Sequence, residues 1–281
     1  MKALLVGYGK MGKAVEAALR AKGHTVVGRI DEGDRLEILL GGEPPGILLE
    51  GSRPGDFLEG ESGETMSPSA SGEAPAAGER ALLSSLSKKS SVADVAFEFT
   101  TPFAAPERVV FLLSKRIPVV SGTTGWDTAP AIRFAQEQKV PFLHSPNYSV
   151  GVAVMRRLAA QAAAMLAAFP EFEPGVFERH HSAKKDAPSG TAKAIAAAIA
   201  AERPGAPVSV VALRQGGQPG EHILFFEGES ESLEIVHRAR SRAIFAAGAV
   251  AAAEWLLESG RTGPVTFDEF LDAIASERIS R

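Results

Sequence analysis

The chain contains no cysteine. A disulfide framework, a thiolate metal site and a cysteine nucleophile are therefore excluded together. It also lacks any strong excess of charge, with Lys+Arg 30 against Asp+Glu 34 and a formal net charge of -4. That balance argues against a nucleic-acid or anionic-membrane partner. Long apolar runs are missing as well. The opening Met1-Lys2-Ala3-Leu4-Leu5-Val6-Gly7 is too short for a secretory signal, and no stretch reaches the length expected of a membrane span. There is no Gly-x-Ser-x-Gly elbow, which speaks against a Ser-His-Asp hydrolase. Between residues 60 and 91 there is no Val, Ile, Phe, Tyr or Trp. Such a segment cannot bury enough apolar surface to offset its ordering entropy, so residues 32–91 are expected to be a low-complexity insertion or long loop. These absences together predict a cytoplasmic protein with no nucleic-acid or membrane partner.

What remains is enough for a folded protein. At 281 residues with 45% hydrophobic content, the chain can bury a core without covalent staples and is expected to divide into two domains. The first pattern is an apolar strand over residues 2–6, then Gly7-Tyr8-Gly9-Lys10-Met11-Gly12, then a helical face of Val15, Ala18 and Leu19. A second strand over 25–30 ends at Asp31. Gly7 fits the tight turn, Gly9 close approach of a pyrophosphate, and Gly12 close helix–strand packing. A helix N-terminus offers free N–H groups to phosphates, and Asp31 stands where a ribose hydroxyl would be bound. A glycine-rich turn can also serve only to reverse the chain, but the flanking strands and Asp31 agree on a dinucleotide site. Asp31 favours NADH; Lys10, Lys13 and Arg35 could instead meet the 2′-phosphate of NADPH, so the choice of cofactor stays open.

Strands are expected at 92–99, 117–120 and 140–144, with helices at 106–114 and 129–138. Small or hydroxyl residues follow each strand: Phe99-Thr100, Gly122-Thr123-Thr124, and Ser145-Pro146-Asn147-Tyr148. In an open parallel sheet that edge binds ligands, although such residues also simply form turns. An Ala-rich helix at 152–169 leads into a second unit with strands at 175–178, 208–213, 223–227 and 232–238, the last alternating Leu233, Ile235 and His237. Alternation suits a sheet that carries substrate groups on one face and subunit contacts on the other. A helix at 243–258 and an amphipathic tail at 265–274 are expected to return to the first unit.

The densest chemistry lies in residues 177–192, where two of the six histidines, His180 and His181, precede Lys184, Lys185 and the turn Pro188-Ser189-Gly190-Thr191. The turn opens a helix over 192–202. Free amides and hydroxyls at a helix start bind anions, the lysines add charge, and the histidines titrate near neutrality. Each residue alone could be a cap, a solvated cation or a plain loop histidine. Together they suggest proton transfer to a small carboxylate. Adjacent histidines lack the spacing of a helical metal pair and no third ligand is evident, so no metal is expected.

Glu178-x-His180-His181-x-x-Lys184-x-Asp186-x-Pro188-Ser189-Gly190-Thr191-Ala192 resembles the signature of the 4-hydroxy-tetrahydrodipicolinate (dihydrodipicolinate) reductase family. Gly7 to Gly12, Phe99-Thr100, residues 122–125 and 147–152, and Ser241-Arg242 with Phe245-Ala246 are similar to family segments in the same order. The resemblance implies an α/β fold: a Rossmann-like dinucleotide-binding domain of residues 1–148 and 240–281, and a smaller α+β substrate and oligomerisation domain with a mixed sheet over 149–239. It implies NADH- or NADPH-dependent reduction of 4-hydroxy-tetrahydrodipicolinate to tetrahydrodipicolinate with loss of water, on the diaminopimelate route to lysine. By the same resemblance His180 and Lys184 are catalytic, and His181, Lys184, Ser189, Gly190 and Thr191 bind a dicarboxylate heterocycle. Gly7, Tyr8, Gly9, Lys10, Met11, Gly12, Asp31, Phe99, Thr100, Gly122, Thr123, Thr124, Ser145, Pro146, Asn147 and Tyr148 form the cofactor cleft, in a homotetramer. The chain departs from the family in its longer 32–91 segment, a short stretch between Thr191 and Arg214, and Ser182-Ala183 in place of more basic residues. The alternatives are a related dehydrogenase of amino acids or imines, and a non-catalytic dinucleotide-binding regulator.

Overall fold

The computed structural model describes residues 1–31, 33, 34, 36, 40 and 92–279. The expected insertion lies almost wholly outside these residues. The described chain forms β1 (Lys2–Val6), α1 (Lys10–Ala21), β2 (Thr25–Ile30), β3 (Val95–Glu98), α2 (Ala105–Ser114), β4 (Val119–Ser121), α3 (Ala129–Gln138), β5 (Phe142–His144) and α4 (Val150–Met165). β6 (Glu173–His180), α5 (Gly190–Glu202), β7 (Ser209–Arg214), β8 (Gly220–Glu227), β9 (Ser232–Ala239), α6 (Ala243–Glu258), β10 (Pro264–Thr266) and α7 (Phe267–Ile279) follow.

Six strands make a parallel sheet in the order β10-β5-β4-β3-β1-β2. Its strands are buried on both faces, which is why β1 reads as a continuous apolar run rather than an alternating one. Ala3 and Leu5 face a layer with Val15 and Leu19 of α1, Ala249 and Val250 of α6, and Phe267 and Phe270 of α7. Leu4 and Val6 face Val109 and Phe111 of α2 and Ala131 and Ala135 of α3. Each fully buried Leu or Phe stabilises the fold by about 1.5–3 kcal/mol. The tail returns to this sheet as expected, but its start is a strand: β10 pairs with β5 through Val265 and Leu143.

The second sheet runs β7-β6-β8-β9, with β6 parallel to β7 and antiparallel to β8. Val176, Leu224 and Phe226 from one face of it pack with Ala192, Ile195 and Ile199 of α5 and with Met155 and Ala159 of α4. One parallel and one mixed sheet agree with the α/β class inferred from the sequence. Helix α4, extended by the turn Leu166–Ala168, corrects one expectation. Val150–Ala168 spans 19 residues at mean hydropathy 1.3, long and apolar enough by composition to cross a bilayer. Alanines carry much of this: Ala159 and Ala163 lie in the α4–α5 seam, where small residues let two helices approach.

Candidate active site

The predicted cofactor residues sit on the C-terminal edge of the parallel sheet. Gly7 has φ +90°, and a Cβ there would overlap the Phe99 carbonyl. A Cβ on Gly12 would overlap the Gly7 carbonyl, whereas nothing lies within 4 Å of a Cβ placed on Gly9. The turn is thus tight at both ends and open in the middle, the shape a pyrophosphate needs. Gly9 caps α1 without a side-chain bond, so the helix N–H groups are left for a ligand. The Tyr8 amide donates to Asp31 Oδ1 at 3.3 Å, which fixes that carboxylate beside the turn. The Tyr8 hydroxyl turns away to Glu16 at 2.6 Å, and Arg29 and Arg20 pair with the same carboxylate. Hydrogen bonds from Arg29 outweigh the burial of Glu16 and hold its pKa far below the usual range. Lys10 is exposed and Met11 half-buried, while the Lys13 ammonium lies over the Tyr8 ring.

Beyond β3, the strand ends are tied together by Glu98, which the sequence patterns did not single out. This fully buried carboxylate accepts from Ser121 Oγ at 2.6 Å, Thr123 Oγ1 at 2.7 Å, the Thr100 amide at 2.9 Å, and the Thr100 hydroxyl. The Thr100 amide also reaches Thr123 Oγ1 at 2.8 Å. The two loops after β3 and β4 are thereby held in one arrangement, with Gly122 half-buried and Thr124 and Pro146 exposed beside them. The Ser145 hydroxyl donates to the Asn147 carbonyl at 2.8 Å. Tyr148 differs from expectation. Its ring is buried against Phe99 and Phe267, and its hydroxyl donates to the Ser121 carbonyl at 2.7 Å. Burial, then the nearby Glu98, push its pKa upward. Its side chain is a core element.

The second cluster grows from strand register. Val176, Glu178 and His180 share the inner face of β6. Glu178 pairs with His222 of β8, and His222 pairs in turn with His237 of β9. On the other side His180 is level with Arg214 of β7. Glu178 is fully buried. Its Oε1 accepts from the Ser189 amide at 2.8 Å and from Arg214 at 2.7 Å. Its Oε2 lies 3.3 Å from His180 Nε2 and 3.5 Å from His222 Nε2. The His180 and His222 rings meet edge-on at 5.1 Å. His180 Nδ1 is 3.3 Å from the Pro219 carbonyl.

The charge states follow from these neighbours. Burial would raise the Glu178 carboxyl, but hydrogen bonds from Ser189 and Arg214 outweigh it and hold the pKa below the usual range. Burial lowers His180, against the opposing pull of Glu178, and Lys184 lowers it further. Burial and then His180 push His222 down to about 4, and burial lowers His237. Lys184 is held by Asp186 at 2.7 Å. Burial of Asp186 is outweighed by that lysine, which keeps its carboxyl low.

Ser189 is the N-cap of α5, accepting from the Ala192 amide at 3.1 Å. Gly190 is exposed and Thr191 half-buried in the first turn. A hydrogen bond joins the two clusters: Asn147 Nδ2 donates to Thr191 Oγ1 at 3.1 Å. The cofactor edge and the start of α5 therefore share one wall. His181 is brought near by sequence but stays outside the buried group, half-exposed and with its carbonyl accepting from the Lys184 amide. Glu178, Arg214, His222, His237 and Asp186 were not assigned from sequence. Inward alternation along β6, β8 and β9 was the available signal.

The expectation that no third ligand accompanies the histidines needs correction. Donor atoms of Glu178, His180 and His222 lie within 4.8 Å of one another, a spacing that could hold a metal ion. Electrostatics oppose that use. Arg214 occupies the same carboxylate, Lys184 bears on both rings, and the α5 N-terminus points its amides here. The carboxylate a dication would need is already paired with Arg214 and the Ser189 amide, and Lys184 lies near both rings, which disfavours a dication here.

A dinucleotide-type sheet edge that shares a wall with a buried, histidine-bearing cluster at a helix start fits the class of nucleotide-dependent oxidoreductases. Sequence comparison narrows it. Models of the dihydrodipicolinate reductase N-terminus and C-terminus match residues 58–148 and 151–271. The chain belongs to the dihydrodipicolinate reductase family. It is 38% identical over 199 residues to the 4-hydroxy-tetrahydrodipicolinate reductase of Archaeoglobus fulgidus, covering 64% of this chain and 76% of that protein. It is 40% identical over 181 residues to the enzyme of the same name from Anaplasma marginale, covering 58% and 68%. Its fold is like that of the dipicolinate-bound dihydrodipicolinate reductase of Paenisporosarcina sp. TG-14, with a TM-score of 0.65 at 23% identity over 95% and 97% of the two chains.

Proposed function

We propose that this pocket reduces 4-hydroxy-tetrahydrodipicolinate to tetrahydrodipicolinate with loss of water, using a nicotinamide dinucleotide on the diaminopimelate route to lysine. The single observation that carries the reading is the Asn147–Thr191 bond. It ties the strand edge that fits a dinucleotide to the helix start that fits a carboxylate. The residues at that edge suit the cofactor: an open Gly9, amides at the start of α1, and Asp31 fixed beside the turn. Gly7 to Gly12 and Asp31 would hold the adenosine and pyrophosphate, with Phe99, Thr100, residues 122–124 and 145–148 around the nicotinamide. The cofactor supplies a hydride when bound. The held carboxylate of Asp31 supports NADH, because it would accept from a free ribose 2′-hydroxyl and repel a 2′-phosphate.

The chain's own groups handle the rest. Ser189 caps the helix and its amide is held by Glu178, so among Ser189, Gly190 and Thr191 the Thr191 hydroxyl would be the donor to one substrate carboxylate, and His181 lies along the same path. Lys184 is released from Asp186 to meet the substrate's charge and stands with His180 to manage the proton that balances the hydride. Electrons and atoms balance: substrate, hydride and one proton give product and water. The two separate sheets support a division into residues 1–148 with 240–281 and residues 149–239, and closing the two would exclude water.

A homotetramer is part of the proposal. Val211, Leu213 and Val236 are exposed on the outer face of the second sheet, opposite the Glu178 cluster. Consumption of a reduced dinucleotide suits a cytoplasmic enzyme. The test is oxidation of NADH and NADPH by the purified protein with freshly made hydroxy-tetrahydrodipicolinate. Oxidation that depends on this substrate supports the reading. Turnover of an acyclic amino acid instead would favour a related dehydrogenase, and cofactor binding without turnover a regulator.

A further inference from the structure

The buried carboxylate on β6 has no place in the reaction as written, yet the site is built around it. Its two oxygens have different surroundings. Oε1 is saturated by the Ser189 amide and Arg214. Oε2 is buried and has no hydrogen-bond partner, as has His180 Nε2, which faces it at 3.3 Å. The Pro219 carbonyl, an acceptor, requires the His180 proton on Nδ1. A neutral His180 therefore turns a lone pair toward a carboxylate, and neither atom is satisfied. A proton on Nε2 satisfies both at once. Gly220 allows this placement, since a Cβ there would come within 2.9 Å of the His180 ring.

We propose that Glu178 is the positioning residue of this site, holding the His180 and His222 rings through Oε2 and acting as the counter-ion for a proton on His180 Nε2. Among the described residues, the charged and titratable groups that face it come from three strands and one loop. Arg214 comes from β7, His222 from β8 and, behind it, His237 from β9; Lys184, itself paired to Asp186, comes from the loop before α5. Arg214 and the Ser189 amide keep Glu178 ionised. Burial and Lys184 work against a charged His180, while Glu178 works for it. The arrangement parallels an acid that orients a catalytic imidazole without exchanging its own proton. The inference rests on the proposed role of His180.

Glu178→Gln tests it. Glutamine keeps the shape but offers an N–H to the neutral ring, so it should stabilise the form of His180 that lacks the Nε2 proton. The expected result is a kcat lowered about tenfold or more, dinucleotide affinity unchanged, and the basic limb of the pH profile moved toward acid. Glu178→Asp keeps the charge and the Arg214 partner; it should fold and recover part of kcat with the limb near its wild-type position. Wild-type kcat and pH profile in Glu178→Gln would overturn the proposal, as would equal losses in both variants with no movement of the limb. If Gln fails to fold, the Asp variant decides alone: kcat kept in part, with the limb near its wild-type position and cofactor affinity unchanged, supports the role, and complete loss of kcat in a folded protein that keeps the carboxylate overturns it. Inhibition of the wild type by added zinc, relieved in Glu178→Gln, would make the cluster a metal site and overturn the counter-ion role. A wild type that does not turn over the heterocycle would instead sink the functional reading itself, so the two failures are distinguishable.

Discussion

Thr191→Val isolates the anion-binding half of the site. Valine keeps the branched shape in the first turn of α5, so the helix and its packing should survive. Two things are removed with the hydroxyl. Asn147 Nδ2 loses its acceptor at 3.1 Å, and the substrate carboxylate loses a donor. A hydrogen bond to a charged group contributes about 1.5–3 kcal/mol, which converts to a rise of about 10- to 150-fold in KM. The Asn147 loss is a neutral bond in a half-buried place and should cost about 1 kcal/mol of stability. The hydroxyl binds substrate and transition state alike, so kcat should stay within about twofold. Steady-state kinetics with the dicarboxylate as varied substrate, at saturating NADH, measure this directly. Thr191→Ser restores the hydroxyl and should restore KM. An unaltered KM in Thr191→Val would refute the carboxylate site at the start of α5.

Two further outcomes test the supporting structure. Glu98→Ala removes the acceptor of four donors in a buried place, and stranding them should cost about 3 kcal/mol or more. Thermal denaturation should show a clear drop in Tm, and dinucleotide affinity should fall with it; an unchanged Tm would show that the strand ends hold themselves. His222 is neutral in the fold, lowered from 6.5 to about 4, so the unfolded chain binds more protons between those values. Stability therefore rises with pH across that window, and lowering the pH from neutrality to about 5 should cost about 2 kcal/mol from this ring. Denaturant titrations of wild type and His222→Gln should show part of that slope vanish in the variant; identical slopes would mean the ring is not the cause.

Much of the fold was legible because its elements carry strong local patterns. β1, β2, α3 and α6 fall on the expected residues, since each is bounded by glycine, proline or a sharp change of polarity. Strands β3, β4 and β5 start later than expected. Ile117 and Val140 are buried but lie outside the ladders, so apolar character overstated strand length. β10 was missed because a three-residue strand shows no period. β6 extends to His180, past the expected end, because Glu178 and His180 point inward where an apolar residue would be expected. That polarity inside a strand was itself the sign of a site.

The candidate site divides the same way. The glycines at 7, 9 and 12, the Ser189 cap and the histidine–lysine segment are local, so spacing revealed them. Glu178, Arg214 and His222 meet only through register between strands 36 and 44 positions apart in sequence, which no local pattern encodes. Tyr148 entered the cofactor cleft by resemblance alone, and no local pattern foretold that its hydroxyl finds backbone carbonyls inside the core.

The central claim is that His180 governs the proton in a substrate-dependent reduction. Its most direct measurement is kcat for His180→Gln beside wild type with the heterocyclic dicarboxylate, with dinucleotide affinity measured on the same samples. The account predicts a loss of about a hundredfold or more in kcat at unchanged cofactor affinity. Turnover at the wild-type rate by His180→Gln would contradict it.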